Sequence, residues 1–174
     1  LPLIVLFLFN NLFIFSQCSS GDCNNGTGTY LYGENRYVGE FKNGNKNGKG
    51  TYYYANGNKY EGDFRFGKFN GKGKITYSNG NIYEGDFKDG KKDGQGTYHL
   101  KYNEKYIGEF RYNKFHGEGT YHYINGDTYS GNFKDGKRNG IGTYYYAMGN
   151  KYSGDYRDNI RNGMGTFYFV NGNK

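Results

Sequence analysis

From Tyr37 onward, apolar and polar side chains alternate with period two, which is the signature of β-strands rather than helices. Around residue 131, Tyr129, Gly131 and Phe133 fall on one face, and Ser130, Asn132 and Lys134 on the other. A turn is predicted over Asp135-Gly136-Lys137-Arg138-Asn139-Gly140. In the strand that follows, Gly140, Gly142, Tyr144 and Tyr146 share a face opposite Ile141, Thr143 and Tyr145. A second turn, Ala147-Met148-Gly149-Asn150, leads to the next tyrosine. At this second turn Asn56-Gly57, Asn79-Gly80, Asn125-Gly126 and Asn171-Gly172 provide the strongest short hairpin signal.

The strand–turn–strand pattern repeats every 23 residues in six units: 37–59, 60–82, 83–105, 106–128, 129–151 and 152–174. Each opens Tyr-x-Gly-x-(Phe/Tyr)-(Lys/Arg), as in Tyr60-Glu61-Gly62-Asp63-Phe64-Arg65, and continues to a Gly-x-Gly pair such as Gly71/Gly73. Residues 18–36 read as a partial first repeat, because Gly26-Thr27-Gly28-Thr29-Tyr30 matches Gly48-Lys49-Gly50-Thr51-Tyr52. A short-period repeat means a stacked array in which each unit packs on its neighbours. The predicted fold is all-β: an elongated, single-layer antiparallel β-meander or solenoid of 23-residue hairpin repeats. Glycines alternate with aromatics on one face, so a ring from an adjacent strand can lie on bare backbone.

Composition narrows the alternatives. The 174 residues hold 31 glycines, 22 tyrosines and 14 phenylalanines. After Phe15 only Leu31, Val38, Leu100, Val170, six isoleucines and two methionines supply aliphatic or Met side chains. So few aliphatics and so many glycines exclude helix-packed cores, and glycine does not recur every third residue as in collagen.

The quoted units resemble the MORN (membrane occupation and recognition nexus) repeat, and the resemblance spans residues 24–174. Departures are few: Asn113 and Asn159 replace the first-turn glycine, Asn103 the second-turn glycine, and Ile75 a tyrosine. Asn tolerates positive φ, so the three Asn departures are chemically mild. The resemblance implies membrane association and protein scaffolding. Family members that are kinases or methyltransferases carry catalysis on separate domains, and neither domain occurs in this chain.

Residues 1–17 read as a signal peptide or a lipoprotein-type hydrophobic segment, with an apolar run from Leu1 to Phe15 that is short for a membrane span. Cys18 is a candidate lipidation site, and Cys18 and Cys23 alternatively a small disulfide permitted by export. The expected location is outside the cytoplasm of a bacterium: periplasmic, cell-surface or membrane-anchored.

No nucleophile–base pair, metal site or cofactor site stands out. His99 and His122 replace repeat tyrosines, and His116 is a turn residue. The Gly-x-Gly pairs precede no helix, so they form no nucleotide cradle. The net charge is +7, with positive charge concentrated in units one, two and five rather than in a continuous stripe, so no nucleic-acid partner is expected. Lys42, Arg65, Lys88, Arg111, Lys134 and Arg157 form a basic row that could meet an anionic membrane surface. An acidic row (Glu40, Asp63, Asp86, Glu109 and Asp155) runs beside it and is expected to pair across strands and cancel much of its field. The stronger candidate is an aromatic groove lined by Tyr37, Phe41, Tyr60, Phe64, Tyr83, Phe87, Tyr106, Phe110, Tyr129, Phe133, Tyr152 and Tyr156. It would bind a protein partner, or a second copy of the chain. Cell-wall carbohydrate is an alternative ligand, weakened by the absence of Trp.

Overall fold

The computed structural model describes residues 16–174. The apolar run assigned to an export signal lies outside the described residues. Two strands come from the partial repeat, β1 (Gln17–Gly21) and β2 (Thr27–Tyr32). The six units then supply β3 (Asn35–Lys42) and β4 (Asn45–Tyr53), β5 (Lys59–Arg65) and β6 (Lys68–Thr76), β7 (Ile82–Lys88) and β8 (Lys91–His99). They continue with β9 (Lys105–Arg111) and β10 (Lys114–His122), β11 (Thr128–Lys134) and β12 (Lys137–Tyr145), β13 (Lys151–Arg157) and β14 (Ile160–Tyr168). All 14 strands form one open antiparallel sheet in chain order. The predicted all-β repeat meander is the observed fold.

Register explains the sequence period. Gly39 pairs Gly50, Gly50 pairs Gly62, and Gly62 pairs Gly73, so glycine faces glycine across successive strands. Two residues along, Tyr37, Tyr52 and Tyr60 form a parallel row, interrupted by Ile75. Each first-strand tyrosine folds its ring onto the glycine rail. A Cβ built on Gly50 would stand 2.4 Å from Tyr37 Cε2, and one on Gly73 2.5 Å from Tyr60 Oη. The Gly-x-Gly pair thus has two separate causes. Its second glycine lies under the ring, while its first, such as Gly48 at φ 80°, sits in a bulge where a Cβ would meet the Glu40 carboxylate at 2.5 Å.

The turns differ from expectation at one end. The first turn is two residues, not six: Asp135 (φ 52°) and Gly136 (φ 85°) both adopt left-handed backbone, the primed geometry that matches strand twist. Lys137 and the residues after it already belong to β12. Asn113 and Asn159 hold φ 71° and 73° in this turn, as asparagine can. Their side chains also accept the backbone N–H groups of Lys92 (2.8 Å) and Arg138 (2.9 Å) in the preceding unit. The second turn is a three-residue loop closed by Tyr54 N–H on Asn58 O at 3.0 Å, with glycine in the left-handed position.

Candidate functional site

The twelve aromatics expected to line an accessible groove are instead the core. Tyr37, Tyr60, Tyr83, Tyr106 and Tyr129 are fully buried, and Phe41, Phe64, Phe87, Phe110, Phe133, Tyr152 and Tyr156 are nearly so. The physical reason is edge-to-face packing along the array. Tyr60 meets Phe64 of its own unit at 5.1 Å and Phe87 of the next at 5.1 Å. Four of the five fully buried tyrosine hydroxyls donate at 2.8–2.9 Å to the carbonyl three residues on, as Tyr60 does to Asp63 O. Burial, followed by the nearby Asp63 carboxylate, holds the Tyr60 hydroxyl far above its ordinary pKa. These rings cannot touch a partner without unfolding their unit.

Phe66 and Tyr112 are exposed at first turns; on the face that carries the core, the accessible aromatics come from the second strand and the loop after it. Tyr30, Tyr32, Tyr52, Tyr77, Tyr98, Tyr121, Tyr123, Tyr144 and Phe167 are half-buried against the core, Tyr54 and Tyr146 are half-buried beside them, and Phe169 is exposed. Within hairpins the pairs stand close, Tyr52–Tyr54 at 4.7 Å and Tyr121–Tyr123 at 4.6 Å. Between hairpins Tyr32–Tyr52 (6.1 Å), Tyr123–Tyr144 (5.6 Å) and Tyr146–Phe167 (5.7 Å) connect them. The result is a ladder along the sheet, thinned at Ile75 and Leu100. The sequence carried this signal as Tyr-x-Tyr at 30/32, 52/54, 121/123 and 144/146, but alternation alone does not tell which of two same-face rows ends up underneath.

A third position completes this face. The tenth residue of each unit lies opposite the fifth, as Lys46 does to Phe41 and Lys92 to Phe87. In units two and four it is Phe69 and Phe115, stacked on Tyr60 and Tyr106 with centroids 3.7 and 3.8 Å apart. In units one, three, five and six it is Lys46, Lys92, Arg138 or Arg161, each set among aromatic rings. Lys46 Nζ lies 4.6 Å from both Tyr32 and Tyr52. Lys92 Nζ lies 4.3 Å from Tyr98 and 5.2 Å from Tyr83, and the residue is only 8% exposed. Loss of water drives the Lys92 ammonium down to about 8, while the ring faces offset part of that penalty. A pocket of about 260 Å³ opens beside Lys46, bounded by Tyr52, Tyr54, Lys68 and Phe69.

On the opposite face the acidic row does not pair with the basic row. Glu40, Asp63, Asp86, Glu109 and Asp155 turn to the bulge and accept backbone N–H groups of Lys49, Lys72, Gln95, Glu118 and Met164 at 2.8–3.2 Å. Where Asp63 and Asp86 do pair, their partners are Lys49 and Lys72, each at 2.6 Å. Lys42, Arg65, Lys88, Arg111, Lys134 and Arg157 are exposed, and among the described residues none of them forms an ion pair. Instead Arg65 faces Lys68, Lys88 faces Lys91, Arg111 faces Lys114 and Lys134 faces Lys137 across the first turn. The sequence reading missed this doubling because it placed those lysines in a turn.

Cys18 and Cys23 form a disulfide with Cα atoms 5.9 Å apart. The Cys18 sulfur is therefore not free to carry a lipid thioether, which corrects the lipidation alternative. The bridge fastens β1 to the connection before β2, at the start of the sheet. Among the described residues no group of three His, Cys, Asp or Glu converges as a metal site.

An open sheet of stacked hairpins with one face of layered aromatics defines a repeat scaffold. The MORN repeat model matches residues 37–59, 60–82, 83–101, 106–128, 129–151 and 152–174. The chain belongs to the MORN repeat family. The gap at 102–105 coincides with the altered loop where Tyr102 and Asn103 both take positive φ (60° and 66°). No curated protein matches the chain at a significant level. Among solved structures, the chain resembles the SAS-4 (dCPAP) TCP domain of Drosophila melanogaster, which was solved in complex with a proline-rich motif of Ana2 (dSTIL). The identity is 16%, the TM-score 0.57, and the match covers 99% of this chain and 95% of that one. At that identity the likeness is one of fold.

Proposed function

We propose that this chain is a non-catalytic scaffold that binds an extended segment of a protein partner along the half-exposed aromatic ladder. The observation that carries this reading is the row of half-exposed rings on an open sheet, in three runs from Tyr30 to Tyr54, Tyr77 to Tyr98 and Tyr121 to Phe169. Extended and proline-rich segments dock on aromatic-lined grooves because their backbone is already ordered and flat rings cover their apolar edges. The structural neighbour's proline-rich ligand is consistent with it. A panel of 15-residue proline-rich and proline-free peptides, titrated against the purified chain by fluorescence anisotropy, tests the reading. Tyr52→Ala, Tyr123→Ala and Tyr144→Ala should each weaken binding about tenfold while the far-ultraviolet spectrum is unchanged. Binding by the three variants as tight as that of the unaltered chain, or no binding by any peptide, defeats it.

A second reading has its own support. Four like-charged pairs face each other at the first-turn rim, and in two of them the lysine already pairs with an acid of the next unit, Lys114 with Asp135 at 3.7 Å and Lys137 with Asp158 at 3.1 Å. Like charges directly opposite oppose folding, and contact with an anionic membrane surface would relieve the pairs left without an acid. Substituting Arg65, Lys88, Arg111 and Lys134 by glutamine should then reduce the chain's preference for anionic over neutral vesicles at low salt. An unchanged preference removes this reading. We further propose export: the Cys18–Cys23 bridge suits an oxidising compartment.

A further inference from the structure

The tenth-position residues carry charge in alternate units. Through units one to five the order is Lys46, Phe69, Lys92, Phe115 and Arg138, and unit six adds Arg161. All lie on the aromatic face, against the ladder. Among the described residues none of these four cations forms an ion pair. The two acids nearest this face are engaged elsewhere. Glu104 accepts the Tyr121 hydroxyl at 2.9 Å, and Asp127 accepts the Tyr144 hydroxyl at 2.7 Å and the Ala147 N–H at 2.9 Å. Lys92 is more than nine-tenths buried, and its ammonium lies against four ring faces with no ion-pair partner among the described residues. Phe69 and Phe115 fill the same slot in units two and four, so packing does not require a cation at Lys92, whereas Arg138 also donates to Asn159 O at 2.7 Å.

We propose that these cations read carboxylates on the bound segment, so that the partner is an extended acidic stretch with its acidic side chains at a fixed spacing. This rests on the ladder being the binding surface. Lys46, Lys92 and Arg138 are two units apart, which is four strands, or about 19 Å along the sheet. A polyproline-type segment advances about 3.1 Å per residue, so its acids recur about every six residues. The rings between the cations, including Phe69 and the pocket beside it, take the intervening apolar residues. Desolvated ion pairs formed only on binding give register as well as affinity.

Three synthetic proline-rich peptides of equal length test this. One carries glutamate at its first, seventh and thirteenth positions, the second has the same glutamates adjacent, and the third has glutamine in their place. With the full chain, the spaced peptide should bind about tenfold more tightly than either of the others, with the advantage shrinking as salt rises. Lys92→Phe, which copies the neighbouring units and so keeps the fold, should erase most of that advantage. Equal affinity for all three peptides overturns the spacing proposal but leaves the ladder as the binding surface. A Lys92→Phe chain that keeps the full advantage also overturns it. If no peptide binds, the ladder reading fails as well.

Discussion

Units two and three share strand register, and although their second turns and the ladder positions Ile75/Tyr98 and Tyr77/Leu100 also differ, the contrast that bears on binding is at one slot. In unit two Phe69 lies flat on Tyr60 at 3.7 Å and closes the core. In unit three Lys92 occupies the same place, with its ammonium among Tyr77, Tyr83, Tyr98 and Phe110. The difference teaches that the repeat has a part that folding demands, tyrosine over glycine, and a part that folding merely tolerates. The tolerated slot is where units differ from one another, and it faces the open ladder.

The largest effect should come from the part both units share. Gly73→Ala and Gly96→Ala each place a Cβ within 2.5–2.6 Å of a tyrosine hydroxyl, so each should cost about 3 kcal/mol in denaturant unfolding, whichever residue fills the slot. A large difference between the two would mean that the slot, not the glycine rail, governs packing. Next, Phe69→Ala opens a void over Tyr60 and should cost about 2 kcal/mol, more than Lys92→Ala, whose loss of packing is offset by removal of a buried charge.

Lys92→Met sharpens the contrast further, since it should stabilise the chain by about 1 kcal/mol at pH 7. The sign follows from linkage. The Lys92 ammonium titrates near 8 when folded and at 10.5 otherwise, so the folded chain binds fewer protons in that window. Its stability rises from pH 8 toward 10 on this account. In Lys92→Met the rise should vanish, and thermal melts at pH 7, 8 and 9.5 check this. Above pH 10 the buried tyrosines act the other way. Tyr37, Tyr60, Tyr83 and Tyr106 resist ionisation when folded, so the folded chain retains protons the unfolded one loses, and both chains should melt at progressively lower temperature. The smallest effect belongs to the bulge: Asp63→Ala frees the Lys72 N–H and should cost about 1 kcal/mol, less than either packing change. A loss as large as that of Gly73→Ala would make the carboxylate part of the core.

Much of the fold was legible because a 23-residue period with alternating faces admits few structures. Glycine opposite glycine and tyrosine opposite tyrosine follow from the unit once antiparallel pairing is granted. The candidate site was less legible. Both aromatic rows sit on one face at period two, and nothing in their spacing says that the Tyr37-to-Tyr156 set is sealed while Tyr52, Tyr123 and Tyr144 stay open. The first turn misled for a local reason: a two-residue turn moved Lys68, Lys91, Lys114 and Lys137 from loop to strand, opposite other cations. The acidic row misled because its backbone acceptors exist only once a bulge has formed.

By itself, the sequence determined the strands, their order, their period and the face on which rings meet glycine, because these depend on side-chain alternation and nearest-neighbour pairing. The tertiary structure decided which rings are buried, which carboxylates bend to the backbone and which cations are left among aromatic faces. Those outcomes depend on contacts between successive units and on two extra residues in each bulge, and a list of side chains does not encode the path they bend.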